Sequence, residues 1–334
     1  MSGTVTYDPQ AIEQELGMSS MSRYSGMAWL LLLAGLVLTA YAVYLAKSDI
    51  EQTALREFTA ESEEVRLKIE ARLQSHKQVL LGGAAMFDAS DFVSREEWHA
   101  YAKRVRIDEH FNGIQGLGFA QAITPAQLPG HVAAIRRQGF PQYNVRPPGK
   151  RELYSSIVYL EPFRDRNLRA FGFDMYSEPV RRAAMVQARD ESTVALSGKV
   201  TLVQETERDV QAGTLMYVPV YRKGAPLQSI AQRRAALLGW VYSPFRMNDL
   251  LEGVLARWDN HMIQHIHMQV YDGRAVHPDA LLYDSRAGLP NPVPLFSVDQ
   301  QIDFNGTVWT LHFEQHGGEV VGLDYSKAWG FLWF

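Results

Sequence analysis

Hydrophobic and polar positions change their rhythm along this chain, and each rhythm predicts a different element. MAWLLLLAGLVLTAYAVYLA, Met27 to Ala46, is a run of twenty residues without a charge, flanked by Arg23 and Lys47. At 1.5 Å rise per residue such a helix reaches about 30 Å, the thickness of a hydrocarbon core. Ala40-Tyr41-Ala42 resembles a signal-cleavage site. The apolar run is nevertheless longer than the ~7–15 residues of a signal core, and 26 residues precede it. The pattern therefore predicts an uncleaved transmembrane helix. Arg23 set against Lys47 and Arg56 gives little bias in orientation, and the size of the region that follows favours the C-terminal side as the outer one. The sequence closes on SKAWGFLWF, Ser326 to Phe334. Its aromatic, apolar end predicts the start of a second span and a longer protein with a cytoplasmic part.

From Lys47 to about Leu81 there is no Gly or Pro, and Ile50, Ala54, Phe58, Val65, Ile69, Leu73 and Leu80 recur at spacings of three, four and seven. This predicts one long helix with a narrow apolar stripe. Such a stripe suits either a stalk pairing with a second copy or packing on the chain's own domain. Ser94-Arg95-Glu96-Glu97 has the capping-box pattern of a helix start, and Trp98, Tyr101 and Val105 follow at helical spacing. Gly113–Ile123 reads as a strand, and 125–138 as a helix stopped by Gly139-Phe140-Pro141. The runs 153–160, 194–204, 213–222 and 236–245 have strand content, interrupted by one helix at 178–190 with Ser177 as its cap and Pro179 in its first turn. After an amphipathic helix at 247–258 come four more strand candidates, and Asn305-Gly306 signals a two-residue hairpin between the last two. The class is α+β: helices on antiparallel sheets behind a transmembrane helix and a stalk.

Composition narrows the function. The 334 residues are 46% hydrophobic and 21% charged with a net charge of -4, which argues against a nucleic-acid binder. There is no Cys, so thiol chemistry and disulfides are excluded. No phosphate-binding Gly-Lys-Ser/Thr loop, nucleophile elbow or HExxH is present. An anchored hydrolase would need a nucleophile–base pair, and none is visible. His261, His265 and His267 form the densest metal-like cluster, without an acidic ligand adjacent in sequence. They read as surface or interface histidines, and no catalytic residue, metal or cofactor is expected.

The most unusual stretch is EPFRDRNLRAFGFDMYSEPVRRAAM, Glu161 to Met185, with five Arg, two Asp and four Phe/Tyr rings. Sheet-domain pockets are mostly apolar with a few fixed polar groups. Tyr159, Phe163, Phe171 and Phe173 could supply rings, and Asp165 or Arg169 could orient a ligand. Asp174 reads as pinning a turn, with arginines as its partners. The order YLEPFRDRNLRAFGFDMYSEPVRRAAMVQARD, ALSGKVTLVQE, LMYVPVYR, LLGWVYSPFRMNDLL resembles the CHASE domain, the extracytoplasmic sensor of bacterial receptors and of plant cytokinin receptor kinases. The likeness covers about Glu109 to Trp258 and extends more loosely to Phe313. It implies flanking membrane helices, a stalk helix and two PAS-like sheets, with a ligand in the membrane-distal one. It also implies that Asp165 stands where the plant receptors hydrogen-bond the purine ring. Ser197 falls where they carry a Thr, and Gly239 or Trp240 where they carry a Gly that leaves room. Trp240 in that place would fill the plant ligand's site, and Arg164 stands where many bacterial relatives carry their acid. Both departures point away from cytokinin, toward another small organic ligand with an anionic group for Arg164 or Arg169.

The expectation is thus a sensor in the inner membrane. It comprises a cytoplasmic tail (1–26), a transmembrane helix (27–46), a stalk (47–90), a distal PAS-like subdomain (91–245) and a proximal one (246–326) in the periplasm, and the start of a second span (327–334). Its ligand residues would be Tyr159, Asp165, Arg169, Phe171, Ser197, Gly239 and Trp240. Its partners would be a small molecule, the lipid bilayer and a second copy through the stalk, with no nucleic acid. The missing output would be a histidine kinase or a diguanylate cyclase/phosphodiesterase. The alternative is a periplasmic module that senses a partner protein. A polar hollow around Asp165 and Ser197 would favour the small molecule, and a filled core there the protein.

Overall fold

The computed structural model describes residues 9–107, 113–206, 209–255, 266–290 and 292–316. The expected second span, the end of the helix predicted to reach Trp258, and His261 and His265 lie outside these residues. One helix, α1, runs from Pro9 to Ala89. No proline follows Pro9 until Pro125, so nothing in this stretch removes a helical hydrogen bond. Its part from Gly26 is, among the described residues, the one helix long and apolar enough to cross a membrane. Trp29, Leu31 and Leu38 on it are exposed.

Contacts divide the chain at Glu57. In the unit that begins at Phe58, the stripe Phe58, Val65, Ile69, Leu73 and Leu80 is at most 3% exposed. It is covered by the chain's own sheets: Phe58 meets Phe296 with ring centroids 6.1 Å apart. Of the two uses of this stripe, packing on its own domain holds along this length. Helix α2 (Arg95–Val105) starts with the expected reciprocal cap, Glu97 N donating to Ser94 Oγ and Ser94 N to Glu97 Oε2.

The first sheet holds β1 (Leu117–Ile123), β2 (Tyr154–Glu161), β3 (Ala195–Leu196), β4 (Val200–Thr201), β5 (Ala212–Tyr221) and β6 (Leu237–Arg246). Its order is β2-β1-β6-β5-β3, with β4 also on β5, all antiparallel. Helix α3 (Leu128–Arg137) joins β1 to β2, and α4 (Pro179–Glu191) crosses between β2 and β3. One sheet face packs on α1 and α2 through Phe119, Val158, Val218 and Val241. The other packs on α4 through Ala184, Met185 and Ala188.

Three local expectations change. The strand predicted at 194–204 breaks into β3 and β4 around Gly198. Helix α4 is capped by Glu178, which accepts from Val180 N and Arg181 N, and not by Ser177. Ser177 instead closes a 3-10 turn, its hydroxyl donating to Asp174 O at 2.6 Å. A short helix, α5 (Ile230–Ala236), precedes β6, started by a Ser229–Gln232 capping box that the strand pattern concealed.

Helix α6 (Met247–Leu255) leads to the second sheet: β7 (His267–Asp272), β8 (Leu281–Asp284), β9 (Phe296–Phe304) and β10 (Thr307–Gln315), in the order β8-β7-β10-β9. The Asn305-Gly306 turn takes the positive φ values, 52° and 90°, that such hairpins require. Met268, Val270, Leu311 and Phe313 join the core that also holds the α1 stripe. The molecule mixes helices with two antiparallel sheets, as expected.

Candidate ligand-sensing site

The stretch 161–185 resolves into two parts with different roles. Residues Asp165–Ala170 form a 3-10 turn that begins at φ +51° on Asp165. The Asp165 side chain is 83% exposed, with Arg164 3.9 Å away. Arg169 is also exposed and donates from Nη1 to Glu205 O at 3.1 Å. Asp174, by contrast, is fully buried. Its Oδ1 accepts from Ser155 N at 2.8 Å, Ser155 Oγ at 3.3 Å and Tyr176 N at 3.2 Å. Burial still raises its pKa above the ordinary carboxylate value, although those bonds and Arg151, at 3.4 Å, oppose the shift. Asp174 thus pins the entry to α4 onto β2, and its arginine partner is Arg151 rather than a neighbour in the stretch.

The rings enclose a different arginine. Arg95, from the first turn of α2, lies 4.6 Å from the ring centre of Phe140, 5.2 Å from Tyr159, 5.5 Å from Phe171 and 5.8 Å from Phe163. Its Nη1 donates to Val158 O at 2.8 Å, while Nη2 is buried without a hydrogen bond. Desolvation lowers its pKa. Ring faces attract a guanidinium, more strongly when it is desolvated. Tyr159 and Phe171 therefore meet around Arg95, with Tyr159 also donating to Val93 O.

The α4 face of the first sheet is built in rows. Leu160, Gly118, Tyr242, Tyr217 and Ala195 stand opposite one another across five strands. The adjacent row is Ile157, Ala120, Trp240 and Pro219. Trp240 is fully buried, donates from Nε1 to Met185 O at 3.0 Å and stacks on Tyr176 at 5.9 Å. Tyr242 leans over Gly118, where a side chain would collide with its ring. Its hydroxyl is buried without a partner, as is Oδ1 of Asn167 in the 3-10 turn. Burial raises the pKa of Tyr217 and of Tyr242 well above the phenol value.

Gly239 lies one residue earlier on β6 with φ +158°, and a Cβ there would strike Ala120 O and the Phe119 ring. Close approach of β1 accounts for this glycine. Ser197 is buried; its Oγ accepts from Leu215 N and donates to Gly198 O, both at 2.9 Å, fastening the end of β3 to β5. The seven residues singled out from the sequence therefore separate. Two hold Arg95, two lie within the sheet, one sits at its edge, and Asp165 and Arg169 stand on the rim. Around Trp240, Met185, Ala188, Tyr217 and Tyr242 are at most 1% exposed.

An open space lies elsewhere. A cavity of about 610 Å³ runs between α1 (Lys77, Leu81, Ala84, Asp88) and the end of β5 with its following loop (Val218, Tyr221, Arg222, Lys223, Ala225). Lys223 reaches back across it, its Nζ 3.3 Å from Ala89 O.

Comparison with protein families matches the CHASE domain over residues 91–283, more than half of the chain. This chain belongs to the CHASE domain family. CHASE domains are extracellular sensory modules of signalling receptors. Comparison with curated proteins gives no match. The CHASE match begins just after α1 and ends in β8, so it takes in the whole first sheet, the Arg95 enclosure and half of the second sheet. Sequence reasoning missed Arg95 because its capping-box position explained it already. It missed the cavity because the two walls are more than a hundred residues apart in the CHASE chain, and no local pattern links them.

Proposed function

We propose that this CHASE chain is the extracytoplasmic sensing portion of a membrane signalling receptor, anchored in the inner membrane by α1, with its two sheets as tandem PAS-like domains in the periplasm. Its guest is a small organic anion. The observation that best supports this is the cavity beside α1. Its volume, about 610 Å³, falls within the ~300–1,000 Å³ range of small-molecule sites. Lys77, Arg222 and Lys223 outnumber Asp88 on its walls, and Leu81, Val218 and Tyr221 supply apolar surface. One wall is the helix and the other the sheet, so a guest favouring one helix–sheet arrangement shifts the population of α1 states. Asp165 and Arg169 are not among the walls and contribute to recognition at most from outside. Output passes to a cytoplasmic kinase or a cyclic-dinucleotide enzyme.

A partner protein is the second reading, favoured by the bulk of Trp240 on the α4 face and by Leu168, which is 49% exposed on the 3-10 turn beside Arg164, Asp165 and Arg169. The two readings separate in a thermal-stability screen of the full chain in detergent against small carboxylates, phosphates and purines. A stabilising compound should lose roughly tenfold or more in affinity, about 1.4 kcal/mol, in Ala225→Trp and in Lys77→Ala, and bind Asp165→Ala normally. Loss in Asp165→Ala alone would move the guest to the 3-10 turn. A screen without hits, together with saturable binding of a periplasmic protein that Leu168→Glu abolishes, would replace the small molecule by a protein.

A further inference from the structure

The face of the second sheet opposite Met268, Val270, Leu311 and Phe313 carries a polar array that the sensing site does not use. β10 carries His312 and Glu314 two residues apart, so their side chains emerge on one face, and His316 follows directly after the strand. Glu314 stands directly opposite His267 of β7 in the ladder. His267, Glu314 and His316 are 3%, 8% and 5% exposed, and one donor atom from each lies within 4.8 Å of the others.

The bonds around this trio are ordered. His267 Nδ1 is 3.0 Å from Glu314 Oε2, while His267 Nε2 is 2.7 Å from Asp284 Oδ1. The second oxygen of Glu314 meets His312 Nε2 at 3.2 Å, and His312 Nδ1 meets Asp299 at 2.5 Å. His316 is the exception: both its ring nitrogens are buried without a hydrogen bond among the described residues, beside His267 at a ring separation of 6.3 Å. A buried imidazole with neither nitrogen partnered is costly unless something binds it.

We infer that His267, Glu314 and His316 form a binding site for a divalent transition metal, zinc being the ion whose preferences they fit. Two imidazoles and one carboxylate are a common zinc ligand set, with bonds of about 2.0–2.2 Å, which puts donors about 3.4 Å apart. The three donors already lie within 4.8 Å of one another. With its Nε2 proton held by Asp284, His267 would turn the Nδ1 lone pair toward the metal, next to Glu314 Oε2. His312 holds the oxygen of Glu314 that the metal does not take. Metal-binding histidines and carboxylates characteristically carry such outer partners. The three ligands leave a fourth position for water or an exchangeable group. The site makes no use of the cavity and stands or falls apart from it.

The test is titration of the untagged full chain in detergent, stripped by chelator, with Co²⁺ followed by its visible spectrum and with Zn²⁺ in competition. One equivalent should bind, and Zn²⁺ should raise the melting temperature by several degrees. His316→Ala should weaken binding by at least ~100-fold, and Zn²⁺ should no longer raise the melting temperature of that variant. Asp284→Asn should weaken it about 10–100-fold. Absence of a one-equivalent Co²⁺ spectrum, or binding by His316→Ala and Glu314→Gln as tight as by the unaltered chain, overturns the site. Stability that follows pH but not metal overturns it too, and leaves the cluster as histidine–carboxylate pairs.

Discussion

His76 shows how one buried side chain writes a pH dependence into the fold. It lies on α1, fully buried, with its ring stacked 5.0 Å from Phe245. Desolvation, with help from the Arg72 charge, pushes its pKa down to about 3. The folded state therefore keeps His76 neutral, whereas the unfolded chain takes up a proton near the ordinary value of about 6.5. Because the folded pKa is the lower one, the unfolded state binds more protons between pH 3 and 6.5, and stability falls as pH drops through that window. His131, pushed to about 4 by burial, acts in the same direction. Replacing His76 by Leu removes its share. The loss of urea-derived stability from pH 7 to pH 5 should shrink by about 2 kcal/mol, whatever the variant's absolute stability. An unchanged loss would mean that His76 titrates normally in the folded protein.

Helix α1 buries one apolar stripe within the chain and leaves Leu67 exposed. Phe58 and Val65 are core, so placing Glu there should unfold the unit rather than split a dimer. Leu67, 50% exposed on α1, lies off that buried stripe, at a position where a second stalk would meet it. If two copies associate through the stalk, Leu67→Glu should raise the dimer dissociation constant by tenfold or more in detergent, without altering the melting temperature of the monomer. An unaltered constant would remove this face from the interface. The periodicity of α1 was plain in the sequence; which face met another chain was not, because an apolar stripe looks the same whether its cover is β9 or a second copy. Caps and turns fixed by residues within four positions, such as Ser94 with Glu97 and Asn305-Gly306, were legible. Where a short helix runs straight into a strand, as α5 runs into β6, the two periods overlap and the helix was lost. The long-range features escaped altogether. The enclosure of Arg95 draws rings from four segments, and the Trp240 environment depends on α4 lying over the sheet. The His312, Glu314 and His316 alternation was present in the sequence, but its partner His267 lies 45 residues before His312.

The two sheets are joined in two ways, and a sensor needs to transmit through one of them. The first is the continuous apolar core that α1 shares with both. The second is a polar clasp between β3 and the second sheet. Asn305 Nδ2 donates to Val194 O at 2.6 Å, Thr307 Oγ1 to Leu196 O at 2.8 Å, and Lys199 N to Asp272 Oδ2 at 2.7 Å. Gln187 of α4 adds a bond to Asn305 O at 2.8 Å. These bonds tie the β3 edge, and through Ser197 the β5 strand, to the β9–β10 hairpin. Asn305→Gly with Thr307→Val removes two of the bonds while keeping a residue that accepts positive φ in the turn and the shape of the threonine. Each net hydrogen bond contributes about 1 kcal/mol, so the double variant should be about 2 kcal/mol less stable. Because a mixed core of this size outweighs two bonds, unfolding should still be a single transition, with tryptophan fluorescence and circular dichroism coinciding. Two separated transitions would show that the clasp, and not the shared core, makes the sheets one cooperative body, and would put the relay between them at β3.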